Sequence, residues 1–171
     1  VGVPAFLRCA CGPSSLTNCP NFSFFKNGIT IGHNTTLMQN AITTGKIIFE
    51  KNSNERLEPA SMTKIMTLLL TFEAIDNGRV SLDDMVNISK RAEDMGGSQM
   101  FLEAGSNIRL EEIIKGVSIA SANDGAIALA EFIGGSVENF VNMMNKRAAE
   151  LGLSGTHYEN PIGLHHEQNY T

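Results

Sequence analysis

The chain has 171 residues, of which 42% are hydrophobic and 18% charged, and its formal net charge is −5 from 13 basic and 18 acidic side chains. This length and composition predict one folded domain with a real core and exclude a disordered chain. The sequence holds no Lys/Arg cluster and no apolar run as long as a membrane span, so it predicts neither a nucleic-acid partner nor a transmembrane helix.

The first 35 residues show no helical or strand periodicity, and we expect them to form a poorly ordered tail before a folded domain at residues 36–171. All of the cysteines lie in this tail: Cys9, Cys11 and Cys19. A zinc site made from them and His33 would not match a common ligand spacing, so loose thiols are the favoured interpretation. The apolar start, residues 1–7, is too short and lacks the basic residues of a secretion signal.

A β-hairpin is the first regular element that the sequence predicts, with strands over residues 36–41 and 46–51 around a Thr-Thr-Gly turn. A helix follows over residues 61–77. It is apolar on nearly all sides, which predicts burial within the domain, and Gly78 ends it. Residues 85–88 are predicted to form a short extended piece.

Three more helices are predicted, over residues 110–120, 124–133 and 136–151. The first carries two glutamates in its first turn, where they suit the positive end of the helix dipole. Ser136 is the expected N-cap of the last helix, and glycines follow the second and the third.

Ser61-Met62-Thr63-Lys64 has the S-x-x-K spacing, which places a serine and a lysine on one helix face with Cβ atoms about 5–6 Å apart. A serine hydroxyl needs a base to become a good nucleophile. Lys64 can be that base, because burial and the helix dipole both lower a lysine pKa. The pattern alone is weak, since Ser23-Phe24-Phe25-Lys26 also matches. A capping serine and a solvated lysine would be the other interpretation, but it leaves a lysine on an apolar helix unexplained.

Ser121-Ala122-Asn123 is the only S-x-N in the chain, and it falls at a predicted break between two helices. Taken alone, Ser121 and Asn123 are better explained as helix caps. Beside Ser61 and Lys64, the second part of an active site becomes the favoured interpretation. S-x-x-K, S-D-N and K-T-G form the motif set of serine β-lactamases and penicillin-binding proteins, and no K-T-G or K-S-G occurs in this chain.

From about residue 36 onward the chain resembles the D-alanyl-D-alanine carboxypeptidases, the low-molecular-weight penicillin-binding proteins of the serine β-lactamase/DD-peptidase superfamily. Ordered blocks carry the resemblance: Thr44-Gly45-Lys46, residues 59–67, residues 97–102 with Gly105, Ser121-Ala122-Asn123-Asp124, Met144-Asn145, Leu151-Gly152, Thr156-His157-Tyr158 and residues 160–164. The last block, Asn-Pro-Ile-Gly-Leu, also distinguishes the family from the β-lactamases. Ala122 stands where the family often has glycine.

The resemblance implies an α/β (α+β) fold of the β-lactamase/DD-peptidase type, here a helical lobe with an incomplete antiparallel sheet. It implies that Ser61 attacks the carbonyl between the two terminal D-alanines of a peptidoglycan stem peptide while Lys64 accepts its proton. Ser121 would relay a proton to the leaving D-alanine, and Asn123 would hold Lys64 and the substrate amide. β-Lactam antibiotics would acylate the same serine.

By the same resemblance, no metal and no cofactor is needed. The enzyme would work in the cell envelope, outside the cytoplasmic membrane, and any membrane association would come through regions outside this chain. His157, His165 and His166 lie in a loop-like stretch without a glutamate at metal-binding spacing, so a catalytic or metal-binding histidine is not favoured.

Two alternatives remain open. A class A β-lactamase-like hydrolase shares the first two motifs, but it would need a glutamate-bearing deacylation loop, and the sequence shows no convincing one. The other alternative is a truncated, non-catalytic product, because the chain ends before a Lys-Thr-Gly. We expect the 171-residue chain by itself to hydrolyse D-alanyl-D-alanine poorly.

Overall fold

The computed structural model of the protein describes residues 39–40, 47–49 and 55–171, in two units divided between Glu55 and Arg56. The predicted tail at residues 1–35, with its cysteines and Ser23, lies outside the described residues, and so does its predicted boundary with the folded domain. In the first unit, β1 (Gln39–Asn40) pairs antiparallel with β2 (Ile47–Phe49), which confirms the predicted hairpin.

The second unit starts with a 3-10 helix, Ala60–Thr63, that continues directly into α1 (Lys64–Asp76). The sequence predicts one helix here, and in the structure the first turn of that helix is a 3-10 helix. The predicted burial of this helix is confirmed for most of its apolar side chains, and the half-buried ones that pack against the core are Leu68, Leu69, Phe72 and Ile75. Met66, Leu70 and Ala74 are buried because one face of α1 packs on the other helices, whereas Ile65 on another face is 66% exposed.

A short antiparallel ribbon joins β3 (Met85–Asn87) to β4 (Asn107–Arg109), and the one-turn helix α2 (Lys90–Glu93) lies between them in sequence. The extended piece at residues 85–88 was predicted, but β4 and α2 were not. With three and four residues, neither is long enough to show a hydrophobic period. The N-cap Ser89, whose Oγ accepts from the N–H of Ala92 at 3.0 Å, was the available signal for α2.

The three predicted helices are α3 (Leu110–Ala120), α4 (Asn123–Gly134) and α5 (Val137–Glu150). The bounds of α3 agree with the prediction, those of α4 and α5 agree within one residue at each end, and Ser136 caps α5 by accepting from the N–H of Asn139 at 3.1 Å. None of the helices among the described residues has the length and apolar character needed to cross a membrane.

Helix α4 is the centre of the second unit and packs against α1, α2, α3 and α5. All residues from Asn123 to Ala130 are buried. Small side chains allow this close packing, since a Cβ atom added at Gly125 would lie 2.9 Å from Val117 Cγ2 on α3. The N-terminal end of this helix is therefore a rigid platform, and it carries the Ser-Ala-Asn motif.

Candidate active site

Ser61 and Lys64 meet at the junction of the 3-10 helix and α1. Side chains three residues apart eclipse each other in a 3-10 helix, so the tightened first turn aligns the two residues. Lys64 Nζ lies 3.1 Å from Ser61 Oγ. Ser61 is exposed while Lys64 is only 3% exposed. The hydroxyl is thus open to a ligand, and the amine stands behind it in the protein.

Lys64 Nζ has two further acceptors, Ser121 Oγ and the carbonyl oxygen of Ile162, each at 3.3 Å. With Ser61 Oγ these match the three N–H donors of an ammonium group. No carboxylate pairs with Lys64 among the described residues, so no opposite charge offsets the cost of burying its ammonium form. Burial accordingly lowers the pKa of Lys64 from 10.5 to about 8. Near neutral pH this amine can therefore take up and give back a proton.

Ser121 reaches Lys64 from the end of α3. It is the C-cap of that helix and adopts a left-handed backbone, with φ 55 and ψ 37. Residues other than glycine rarely adopt this conformation, and it persists only where the surroundings impose it. Here it turns the chain sharply between α3 and α4, so the two parts of the predicted motif pair come together although 57 residues separate Lys64 from Ser121.

Asn123 lies at the start of α4, 7% exposed, and its amide does not contact Lys64 as the resemblance implied. Instead, Asn123 Nδ2 donates to the carbonyl oxygen of Gly96 at 2.7 Å. Its backbone N–H donates to the carbonyl oxygen of Ser98, also at 2.7 Å. The physical reason is that the three donors of Lys64 are already used by two serines and a carbonyl. Asn123 ties the segment around residues 96–98 to α4.

The turn at residues 160–164 supplies the third acceptor of Lys64, a role that no sequence pattern predicted. Asn160 Oδ1 accepts from the N–H groups of Ile162, Gly163 and Leu164 at 3.2, 2.6 and 3.1 Å, which fixes the turn. Thr67 Oγ1 donates to the carbonyl oxygen of Pro161 at 2.7 Å and so anchors the turn to α1. The Asn-Pro-Ile-Gly sequence is typical of a turn, but nothing in it indicates that a backbone carbonyl would meet Lys64.

The part of the chain that the structure describes has no candidate metal-binding site, because no three His, Cys, Asp or Glu side chains come together there. His157 Nδ1 pairs with the carbonyl oxygen of Gln168 at 2.8 Å, and His165 Nδ1 pairs with Glu58 Oε1 at 2.5 Å. Neither histidine contacts Ser61 or Lys64. The zinc alternative that used the three cysteines lies outside the described residues.

The arrangement is suited to acyl transfer. An exposed hydroxyl lies within hydrogen-bonding distance of an amine with a lowered pKa, which is the geometry of an activated nucleophile. The first hydrogen bond of the 3-10 helix runs from the N–H of Met62 to the carbonyl oxygen of Pro59. The N–H of Ser61 precedes it and so has no acceptor within the helix. It can stabilise an oxyanion that forms beside Ser61 Oγ.

Comparison with known proteins gives concordant results. A sequence model described as D-alanyl-D-alanine carboxypeptidase matches residues 31–171. The chain is 56% identical over 128 residues to the D-alanyl-D-alanine carboxypeptidase DacF of Bacillus subtilis, covering 75% of this chain and 33% of that protein. It is 40% identical over 127 residues to DacC of Escherichia coli, covering 71% of this chain and 32% of that protein. The chain spans about a third of the length of these curated relatives.

Solved structures agree with these matches. The D-alanyl-D-alanine carboxypeptidase DacD from Francisella tularensis superposes with a TM-score of 0.73 at 42% identity, covering 75% of this chain and 31% of that one. Penicillin binding protein 5 from Haemophilus influenzae gives a TM-score of 0.71 at 36% identity, covering 74% of this chain and 38% of that one. This likeness confirms the predicted fold class.

Proposed function

The chain belongs to the D-alanyl-D-alanine carboxypeptidase family, and on that premise we propose that the protein removes the terminal D-alanine from peptidoglycan stem peptides through an acyl-serine intermediate. One observation carries the proposal: Lys64 Nζ stands between Ser61 Oγ at 3.1 Å and Ser121 Oγ at 3.3 Å. A single proton carrier therefore contacts both the nucleophile and a group that can pass a proton onward.

Acylation begins when Ser61 Oγ attacks the carbonyl carbon between the two D-alanines. The neutral amine of Lys64 accepts the hydroxyl proton across the 3.1 Å contact, which is within the reach that general-base catalysis needs. Burial of Lys64 supports this step, because a pKa of about 8 leaves a useful neutral fraction near physiological pH. The N–H of Ser61 stabilises the negative charge that develops on the carbonyl oxygen.

The intermediate then expels D-alanine when its carbon–nitrogen bond breaks. The leaving amine needs a proton, and the protonated Lys64 supplies one through the hydroxyl of Ser121, which stands 3.3 Å from Nζ. The acyl group stays on Ser61 as an ester. A water molecule hydrolyses this ester and gives its proton to Lys64, and a proton returned to Ser61 Oγ restores the starting state.

Asn123 has a revised part in this scheme. Its Nδ2 donates to the carbonyl oxygen of Gly96, whereas its Oδ1 accepts no hydrogen bond from residues 55–171. We assign Oδ1 to accept the N–H of the substrate's amide, as the resemblance implied. Holding Lys64 falls instead to the carbonyl oxygen of Ile162.

β-Lactam antibiotics are the second class of ligand that we propose. Their strained cyclic amide presents the same kind of carbonyl to Ser61. We further propose that the protein acts in the cell envelope, because its proposed substrate, peptidoglycan, is there. A β-lactamase would release the acyl group quickly. We expect a long-lived acyl-serine here, which separates the carboxypeptidase from the hydrolase alternative.

The test uses the intact protein, meaning the product of the whole gene. We expect it to release D-alanine from a diacetyl-lysyl-D-alanyl-D-alanine peptide and to be labelled by a fluorescent penicillin at Ser61. Ser61→Ala should abolish both signals. Ser23→Ala, the matched control at the other S-x-x-K serine, should keep both. Label that survives Ser61→Ala, or that maps to Ser23, would contradict the proposal.

A further inference from the structure

Phe101 combines two unusual features. Its backbone is left-handed, with φ 59, a conformation that bulky residues seldom adopt. Its side chain is also 83% exposed. Packing within residues 55–171 therefore does not account for the strained backbone, because it leaves the aromatic ring uncovered.

Asp124 shows how the strained backbone is held. Its carboxylate is 1% exposed and accepts the N–H groups of Met100 and Leu102, each at 3.1 Å. It also accepts the N–H of Gly125 at 2.8 Å. No cation pairs with Asp124 in residues 55–171, and its charge is stabilised by these donors and by the N-terminal end of α4. Because the residues on both sides of Phe101 are fixed to one carboxylate, the ring is forced outward.

The same segment is attached to the active site. Asn123 holds the carbonyl oxygens of Gly96 and Ser98, and it lies two residues after Ser121, whose hydroxyl contacts Lys64. The chain from Ser121 to Asp124 spans at most about 10 Å. The element that carries Ser121 therefore also carries Asp124, the residue that fixes the backbone on both sides of Phe101.

We propose that Phe101 is a specificity-determining residue whose ring forms an apolar wall for the acyl side chain of the substrate, and that Asp124 is the positioning residue that holds it there. The inference rests on the proposed function and extends it to the part of the ligand next to the reacting carbonyl. The chemistry it recognises is an aromatic or aliphatic group on the acyl donor.

The experiment compares two β-lactams on the intact protein. Benzylpenicillin carries an aromatic acyl side chain, whereas 6-aminopenicillanic acid has the same bicyclic core without any acyl side chain. Phe101→Ala should lower the acylation rate constant kinact/KI for benzylpenicillin by about 5- to 10-fold, the size of one aromatic contact. It should leave the rate for 6-aminopenicillanic acid unchanged within about twofold, and Phe101→Tyr should retain the discrimination.

Met85→Ala is the matched control, because Met85 is also an exposed apolar side chain, at 56%. It pairs with Arg109 at the start of α3, about 16 Å along the helix from the end that carries Ser121. Both compounds should acylate the Met85→Ala variant as fast as they acylate the unaltered protein.

Asp124→Asn replaces one acceptor oxygen with a donor that opposes the N–H groups. It should reproduce the loss of discrimination and raise hydrogen exchange at the amides of Met100 and Leu102. Adding it to Phe101→Ala should cause no further loss in discrimination, since both changes act through the same ring. If Asp124→Asn does not fold, the Phe101→Ala and Phe101→Tyr variants still test whether the ring discriminates between the two β-lactams.

Equal losses for both β-lactams in Phe101→Ala would overturn the inference and assign the residue a purely structural role. No loss for either compound would overturn it as well. If the unaltered protein is not acylated even by 6-aminopenicillanic acid, the proposed function itself fails, and that outcome is distinct from either of these.

Discussion

Gly163 lies so close to Ala60 that a Cβ atom built on it would be 1.7 Å from the Ala60 carbonyl oxygen. Ala60 directly precedes Ser61, and Gly163 directly follows Ile162, whose carbonyl oxygen accepts from Lys64. The contact therefore joins the start of the catalytic helix to the turn at residues 160–164. Lys64 is held between these two segments because only a glycine allows them to approach this closely.

Gly163→Ala should therefore displace the turn from Ser61. The new methyl group would meet backbone, which cannot yield as a flexible side chain does, and the φ of 79 adds about 1–2 kcal/mol of strain. Gly152→Ala is the matched control, since Gly152 has a φ of 75 but a methyl group added there would have nothing within 4 Å. We expect both variants to lose stability in urea unfolding and only Gly163→Ala to be acylated more slowly by penicillin. Equal acylation of the two would show that the contact does not set the site geometry.

The acylation rate should follow the ionisation of Lys64. Because its pKa is lowered to about 8 by burial, the amine is mostly protonated at pH 6 and mostly neutral at pH 9. We expect kinact/KI for penicillin to rise about tenfold per pH unit below pH 8 and to level off above it. Lys64→Arg keeps a positive charge but cannot lose its proton, so it should stay unlabelled at every pH. A rate independent of pH between 6 and 9 would exclude Lys64 as the base.

The stability of the folded protein should also depend on the ionisation of Lys64. The pKa of Lys64 is about 8 in the folded protein, against 10.5 as its ordinary value, so the unfolded chain binds more protons between those two values. Stability should therefore gain a contribution that grows as the pH rises from about 8 to about 10.5. Urea unfolding across this range, compared with Lys64→Met, measures that contribution, and the variant should lack it.

The helices and the Ser61–Lys64 pair could be predicted from the sequence because their signals are local. A run of apolar residues, a capping serine and an i, i+3 spacing each lie within a few residues of one another. The role of Ile162 could not be predicted, since its side chain is irrelevant and its carbonyl meets Lys64 across 98 residues. Asn123 shows the limit of a family pattern. The motif indicated its place beside the site, but the partner of its amide depended on where residue 96 lies in space.

Two substitutions at Ser121 separate the contribution of its hydroxyl from that of its backbone conformation. Ser121→Gly removes the hydroxyl but suits the left-handed φ of 55, whereas Ser121→Ala removes the hydroxyl and keeps the strain. We expect Ser121→Gly to be the more stable of the two and both to lose about 10²-fold in D-alanine release, the size of a lost proton-transfer group. Ser118→Ala, on the same helix with its hydroxyl on the Ile114 carbonyl oxygen, should retain activity. If Ser121→Gly kept full turnover, backbone shape rather than proton relay would be the contribution of this residue.

Thr63 and Thr67 offer a matched test of how the site is anchored. Both are fully buried β-branched residues, but Thr67 Oγ1 donates to the carbonyl oxygen of Pro161 at 2.7 Å. Thr63 Oγ1 has no hydrogen-bond partner in the part of the chain that the structure describes. Valine has nearly the same shape as threonine, so each substitution changes mainly the hydroxyl. Thr63→Val should leave stability unchanged or raise it by about 1 kcal/mol, because it removes a buried polar group that is unpaired.

Thr67→Val should lower stability by about 1–2 kcal/mol, because it leaves the Pro161 carbonyl oxygen buried without its donor. It also frees the turn that positions Ile162, so penicillin acylation should slow in this variant. Urea unfolding midpoints and acylation rates measured side by side check both expectations. A stability loss of similar size in the two valine variants would mean that the hydroxyl of Thr63 has a partner and that the anchor is not confined to Thr67.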